Sequence, residues 1–194
     1  MSVIPALKLV LLAGVAAIVV ACGDGDRPTR TQNSRVNAVI EAVESHDREA
    51  LRDLVQLTSL PCTDEPASPD RPRCLGEPAG TNVEVFQANE CETSWLRAGD
   101  LDSVIDQVIA LEPAVYAAFE TPEAFYLPGS YAIVFEGRET RVDEPGLKRY
   151  FAAGVEGDFG QITGVSLGCG IDEPAHFLLP HQNEAFDGWL IEPP

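Results

Sequence analysis

Residues 34–57 read SRVNAVIEAVESHDREALRDLVQL, and this stretch sets the expected start of the fold. Its first half carries aliphatic residues at intervals of three and four, which predicts one apolar stripe along a helix. These residues are Val36, Val39, Ile40 and Val43. Ser34 is a residue type that caps helix N-termini, and Asp47 is a second such residue after a short polar break. The stretch therefore predicts two helices, or one helix with a bend.

A further helix is expected after Asp100, which is again a good capping residue. Apolar residues recur from Leu101 to Ile109 with helical spacing, and Pro113 is expected to end the helix. Asp102 and Asp106 lie one turn apart on its polar side. Carboxylates at that spacing could hold a cation, but we expect them to face solvent.

The rest of the chain favours strands, because apolar and polar residues alternate over short runs. The expected strands cover residues 81–91, 95–96, 115–119, 131–135, 162–168 and 189–191. Residues 58–80 are expected to form a proline-rich loop, and residues 136–146 a charged turn or hairpin. Helices that come first and strands that follow predict an α+β fold rather than an alternating α/β fold.

The N-terminus has a weakly positive start and then a twelve-residue uncharged run, Leu9 to Val20. This layout is typical of a secretory signal peptide, and the run is too short to span a bilayer. The run ends in Val19-Val20-Ala21-Cys22, which resembles the lipobox of bacterial lipoproteins. The resemblance implies cleavage before Cys22, a diacylglyceryl group on its sulfur and an acyl chain such as palmitate on its amine. An ordinary cleaved signal or a short uncleaved anchor is the alternative.

Three segments follow from this interpretation. Residues 1–21 form the cleaved signal peptide, residues 22–33 the lipidated cysteine with a flexible polar tether, and residues 34–194 a single domain. We therefore expect an exported protein, held by lipid on the outer side of a bacterial membrane. The membrane is its expected partner through that anchor.

The composition narrows the partners of the domain. The chain has 13 basic and 31 acidic residues, and removal of the signal peptide takes away only Lys8, so the mature charge is 12 minus 31, or −19. Nucleic acid is not expected as a partner, because phosphate binding needs basic patches. Cation binding is compatible with this charge, but we favour an acidic surface that keeps the protein soluble.

Four cysteines besides Cys22 predict two disulfides in an exported chain, with three pairings open. We favour Cys62–Cys74, which brackets the proline-rich loop, and Cys91–Cys169. Cys91 and Cys169 each end an inward-facing row of an expected strand, and neighbouring strands can bring such residues together. Zinc ligation is the rival interpretation, but its ligands usually come as close pairs, and these spacings are wider.

Val36 to Leu57, an apolar helix, a polar break with Asp47 and then EALRDLV, resembles the start of NTF2-like (SnoaL-type) cone domains. That resemblance implies N-terminal helices packed on a curved antiparallel sheet. It also implies a cone pocket that Trp95, Tyr116 and Tyr131 could line. Locally, CTDEP, GTNVEVFQANECE and SLGCG resemble exported lipoproteins of no assigned function.

No motif identifies a reaction. The sequence has no G-x-S-x-G elbow, H-E-x-x-H, phosphate-binding loop or Rossmann fingerprint. A metal site of Asp172, His176 and His181 can be imagined, but its spacing fits no regular helix or strand, so we expect surface loop residues, no metal and no cofactor. The leading hypothesis is a non-enzymatic binding or interaction module held at the envelope, and its partner, an envelope protein or a small-molecule ligand, stays open. The alternative is an NTF2-like small-molecule-binding protein or enzyme.

Overall fold

The computed structural model describes residues 28–65, 71–89, 93–122, 127–140, 145–167, 175–178 and 186–194. The helices are α1 (Ser34–Glu44), α2 (Arg48–Leu54), α3 (Leu101–Ala110) and the short α4 (Ala175–Leu178). The strands are β1 (Thr58–Pro61), β2 (Asn82–Asn89), β3 (Thr93–Arg97), β4 (Ala114–Glu120), β5 (Tyr131–Thr140), β6 (Pro145–Val155), β7 (Ile162–Ser166) and β8 (Trp189–Ile191). The expected α+β class is confirmed.

Helix α1 buries the stripe that the sequence predicts, with Val36, Val39 and Ile40 fully buried. Its cap is Asn33 rather than the expected Ser34, because the Asn33 side-chain oxygen accepts hydrogen bonds from the N–H groups of the first turn. Asp47 caps α2 as expected and accepts from the Ala50 N–H at 3.0 Å. The polar break is a tight turn between two helices.

Helix α3 begins differently from the prediction. Ala98–Asp100 form a 3₁₀ turn before Leu101, and the Asp100 carboxylate accepts a hydrogen bond from the Arg97 N–H at 3.1 Å. The Asp100 side chain makes no capping bond to α3 itself. Asp100 therefore closes the turn that leads into the helix instead of capping the helix.

The sheet has the order β1-β2-β7-β6-β5-β4-β8, and β3 also pairs with β2. The expectation of an antiparallel sheet is wrong at one place, because β2 and β7 run parallel over residues 87–89 and 164–166. The other strand pairs are antiparallel. The sheet is therefore mixed, with β1 at one end of the order and β8 at the other.

Strand β5 separates two apolar cores. Ile133 and Phe135 pack in the larger core, beneath the three longer helices, and Ala132 and Val134 pack in a second core on the opposite face. The alternation of side chains along β5 does not mark one solvent-exposed face, because both faces of the strand are buried. The second core is closed by C-terminal residues, which include Phe177, Leu178, Phe186 and Trp189.

The strands differ from the sequence prediction in two places, one strand that was expected as loop and one hairpin whose strands are longer than expected. Thr58–Pro61, expected within a loop, pairs with β2 as strand β1. Strand β5 extends to Thr140 and β6 begins at Pro145, so the charged segment expected as a turn or hairpin is a hairpin with much longer strands. Backbone pairing with a neighbour, which local side-chain pattern does not reveal, extends both elements.

Candidate functional site

The space between the helices and the sheet is filled. A void of about 30 Å³ remains there, and its described lining is entirely apolar, with Val43, Leu51 and Val104 from the helices and Phe86 and Phe151 from the sheet. Small-molecule pockets usually measure about 300–1,000 Å³, so this void is smaller than such a pocket by about a factor of ten or more. Among the described residues that line it, none carries a polar side chain with which to orient a substrate.

The three aromatic residues expected to line a cone pocket lie in three different clusters. Trp95 packs against the small core around Cys62, whereas Tyr116 contacts Tyr150 edge to face in the second core, with ring centroids 5.0 Å apart. Tyr131 packs at the margin of the larger core. The fold does not bring these side chains together, so they do not define one shared pocket.

Tyr131 does line an open surface cleft of about 520 Å³. The cleft follows the connection between β4 and β5, with Glu120, Thr121 and Ser130 as its polar residues. The Thr121 N–H donates a hydrogen bond to the Ser130 carbonyl. These two backbone groups therefore stabilise the turn rather than bind a ligand. Gly129 has φ +131°, and a Cβ there would lie 2.7 Å from the Val155 carbonyl oxygen, so the wall of the cleft is held close to β6.

A second open cleft, of about 420 Å³, lies at the β8 end of the sheet. Its lining includes Trp189 and Leu190 of β8 and also Pro28, which precedes α1. Residues 28–33 are tied to the domain rather than free of it: Arg30 forms a 2.9 Å ion pair with Glu44, and the Thr31 N–H donates to the Asn37 side chain. The other Glu44 carboxylate oxygen accepts from the Val115 N–H at 3.0 Å, which joins this segment to β4.

The acidic pair on α3 has partners. Arg48 pairs with Asp106, and Arg52 pairs with Asp102, so two arginines of α2 face two aspartates of α3. All four side chains are about half exposed, and such pairs contribute about 0.2–1 kcal/mol each. The expectation that these carboxylates face only solvent is incomplete, because each of them pairs with an arginine of α2.

The Cys62–Cys74 disulfide is present, as predicted, with an S–S distance of 2.04 Å. Around it, the Arg97 guanidinium donates to the Arg73 carbonyl at 2.9 Å and lies 3.3 Å from a Glu77 carboxylate oxygen. Hydrogen bonds from the backbone N–H groups of Glu77 and Leu75, and secondarily the Arg97 charge, lower the pKa of the Glu77 carboxyl. We call β1, β3 and this bridged loop the disulfide edge.

Several predicted positions lie outside the described residues. These are Cys22, Cys91, Cys169, Asp172 and His181. The lipidation site and the second disulfide therefore stay predictions. His176 lies in α4, but its side chain is among the parts that are not described.

The described residues carry no recognisable catalytic constellation. No group of three or more histidine, cysteine, aspartate or glutamate side chains is placed to hold a metal ion within the described ranges. His46, which is exposed, occupies the turn between α1 and α2 at φ +57°. Among these same residues, no helix is both long and apolar enough to cross a membrane.

Comparisons with known proteins add little. No family model matches the chain, and a search of curated proteins finds no match. Among solved structures, the chain is similar to Rv0760c from Mycobacterium tuberculosis, a crystal structure in complex with estradiol-17β-hemisuccinate. The identity is 15%, the match covers 71% of this chain and 92% of that chain, and the TM-score is 0.33. A likeness at that level supports no statement about function.

Two surface features were missed by reasoning from the sequence. The β8 cleft depends on Pro28 lying beside Trp189 and Leu190, residues more than 160 positions apart. The sequence gives one hint of this arrangement, the opposite charges of Arg30 and Glu44. Opposite charges alone, however, do not show that two residues are in contact. From the sequence, Phe159 is recognisable only as an aromatic residue in a glycine-flanked turn. The structure shows that its side chain is 76% exposed.

Proposed function

We propose that this protein is a lipid-anchored envelope protein whose domain is a non-enzymatic binding or interaction module. The observation that carries the proposal is the filled apolar interior, with a void of about 30 Å³. Because a substrate cannot enter such a space, contacts with a partner must use the outer surface. The absence of a recognised catalytic motif in the sequence is consistent with this proposal.

The anchor rests on the segment Val19-Val20-Ala21-Cys22 after an apolar run. The thiol of Cys22 is the nucleophile that would accept the diacylglyceryl group, after which the signal peptide of residues 1–21 would be removed. Several acyl chains hold a protein on a membrane stably, whereas one myristoyl chain binds only marginally. The acidic domain would not contribute by attraction to anionic headgroups, so the lipid would do the anchoring.

The exposed apolar side chains support surface recognition. Phe159 is 76% exposed and Leu75 is 69% exposed, in a domain whose other large apolar side chains are mostly buried. Phe159 lies in the turn of residues 157–160, which Arg35 holds by a hydrogen bond to the Gly157 carbonyl. Aromatic side chains are enriched at protein interfaces, so an exposed Phe159 on a held turn fits a contact with a partner. We propose an envelope protein as the partner.

An NTF2-like fold with a cone pocket is the second proposal for the domain. Its support is the placement of α1, α2 and α3 on one face of the sheet. The filled interior weighs against a ligand between helices and sheet, so a small molecule would have to use an open surface cleft, such as the one beside Tyr131. A panel of apolar and anionic small molecules that raises the melting temperature would favour this alternative over an interaction module.

The anchor is tested with metabolic labelling by radioactive palmitate and membrane fractionation in a bacterial host. The wild-type chain should incorporate label and sediment with membranes, and Cys22→Ala should do neither. Ser2→Ala is the matched control, since it changes a small polar residue of the same leader outside the lipobox, and it should behave as wild type. Label in the Cys22→Ala protein would contradict the proposed lipidation site.

A further inference from the structure

We infer that the β8 cleft rests against the surface of the bilayer, so that the disulfide edge points away from it. The cleft is lined by Pro28, Trp189, Leu190, Glu192, Pro193 and Pro194. The inference rests on the proposed lipid anchor at Cys22. Its partner is the interfacial zone of a zwitterionic lipid bilayer, where headgroups meet acyl chains.

The first argument is the length of chain between the anchor and the cleft. Pro28 lies six residues after Cys22, and six residues span at most about 20 Å when fully extended. Pro28 is also held near the domain, because the residues just after it are bonded to α1: Arg30 pairs with Glu44 at 2.9 Å, and Thr31 is hydrogen-bonded to Asn37. Whatever the path of the intervening residues, this cleft cannot move far from the membrane.

The second argument is the chemistry of the cleft. Trp189 and Leu190 are half-buried, so each exposes part of an apolar side chain beside three prolines. Tryptophan favours the membrane interface because its ring has an apolar body and a polar N–H. The Trp189 ring is held edge to face by Phe119 and Phe186, with centroids 5.4 Å and 5.3 Å away. The contact surface is therefore rigid before it meets lipid.

The charge of the cleft determines which kind of bilayer it can meet. Glu192 is exposed at the cleft and Asp187 is exposed just before β8. These carboxylates would be repelled by anionic headgroups, which is why the inference commits to a zwitterionic interface rather than an anionic one.

The sheet order then decides which surface faces outward. Strands β8 and β1 are the two ends of a path of seven strands, and neighbouring strands are about 4.8 Å apart, so the ends are separated by roughly 29 Å along the sheet. With β8 against the bilayer, the exposed Leu75 beside the Cys62–Cys74 bridge is presented to the surroundings. The partner of the interaction module would meet that edge without competition from lipid.

The chain contains two tryptophans, and they lie at opposite ends of the sheet. The experiment uses the lipidated full-length protein in phosphatidylcholine vesicles whose acyl chains carry bromine, which quenches tryptophan. Trp95→Phe leaves Trp189 as the reporter, and its emission should fall about twofold relative to unbrominated vesicles. Trp189→Phe leaves Trp95 as the matched control, and its emission should hardly change. The wild-type protein should lose part of its emission, and a wild-type emission that bromine leaves unchanged would overturn the docked orientation even if a variant misfolds.

The outcomes separate two failures. Proteins that float with vesicles while Trp189 is not quenched would overturn the docked orientation and leave the lipid anchor intact. Equal quenching of both reporters would also overturn the orientation. A wild-type protein that fails to float with vesicles would overturn the anchor itself, and the orientation with it.

Discussion

Replacement of Phe151 by alanine tests the claim that the interior is filled. Phe151 is 2% exposed, stacks on Phe135 with ring centroids 4.9 Å apart, and borders the void of about 30 Å³. The transfer of a buried ring contributes about 1.5–3 kcal/mol. A new cavity on the order of 100 Å³, at about 24 cal/mol per Å³, adds about 2.4 kcal/mol. We therefore expect the free energy of unfolding to fall by about 4–5 kcal/mol.

The assay is urea unfolding followed by circular dichroism, under oxidising conditions so that the disulfide stays closed. In a thermal scan the same loss corresponds to a fall of roughly 10–15 °C in Tm. The variant should also gain a property that the wild type lacks. An apolar cavity of this order stays dry and binds benzene, so benzene should raise the Tm of Phe151→Ala and leave that of the wild type unchanged.

Phe159→Ala is the matched control, because it removes the same ring from a site that is 76% exposed. Its free energy of unfolding should change by no more than about 0.5 kcal/mol. The reasoning fails if Phe151→Ala loses less than about 1 kcal/mol, or if benzene stabilises the wild type as strongly as the variant. The second result would mean that an open pocket exists in the native protein, and it would favour the small-molecule alternative.

Two further predictions concern the disulfide edge. Replacement of Cys62 and Cys74 together by alanine should lower the free energy of unfolding by about 3 kcal/mol, since the bridge restricts a short loop in the unfolded chain. Urea unfolding under oxidising conditions, which leave the predicted Cys91–Cys169 bridge closed, measures the loss, and a double variant as stable as the wild type would contradict the assignment. The lowered pKa of Glu77 means that its stabilisation is full above the ordinary glutamate pKa and is lost as the pH falls through the lowered value. Glu77→Gln should therefore be less stable than wild type at neutral pH and converge with it only once the pH has fallen below the lowered pKa of Glu77. Glu84→Gln, an exposed control, should stay close to wild type at both ends of the pH range, and parallel curves for wild type and Glu77→Gln would refute the idea.

Local patterns predicted most of the elements because they depend on short-range physics. The stripe of α1 follows from 3.6-residue periodicity, and Asp47 caps α2 as its short side chain allows. The disulfide Cys62–Cys74 followed from its position around a proline-rich loop in a chain that the sequence predicts to be exported. These inferences need no knowledge of what lies across the sheet.

Predictions that depended on distant neighbours failed or were incomplete. Strand β1 exists because β2 pairs with it, although its own sequence contains Pro61 and little alternation. Asp102 and Asp106 were expected in solvent, and they meet Arg48 and Arg52 because α2 and α3 pack side by side. The candidate pocket failed to assemble for the same reason, since Trp95, Tyr116 and Tyr131 lie on different strands whose facing surfaces are set by the topology.

The sequence by itself determined the α+β class, most helices and strands and one disulfide, and it predicts a location at a membrane. Periodicity, capping and charge are properties of neighbouring residues, so they can be read without coordinates. Only the tertiary structure decided that both faces of β5 are buried and that the space beneath the helices is closed. It also decided that Pro28 lies beside Trp189. Those facts depend on how side chains far apart in the sequence fill a shared volume, and packing at that level is a property of the whole fold.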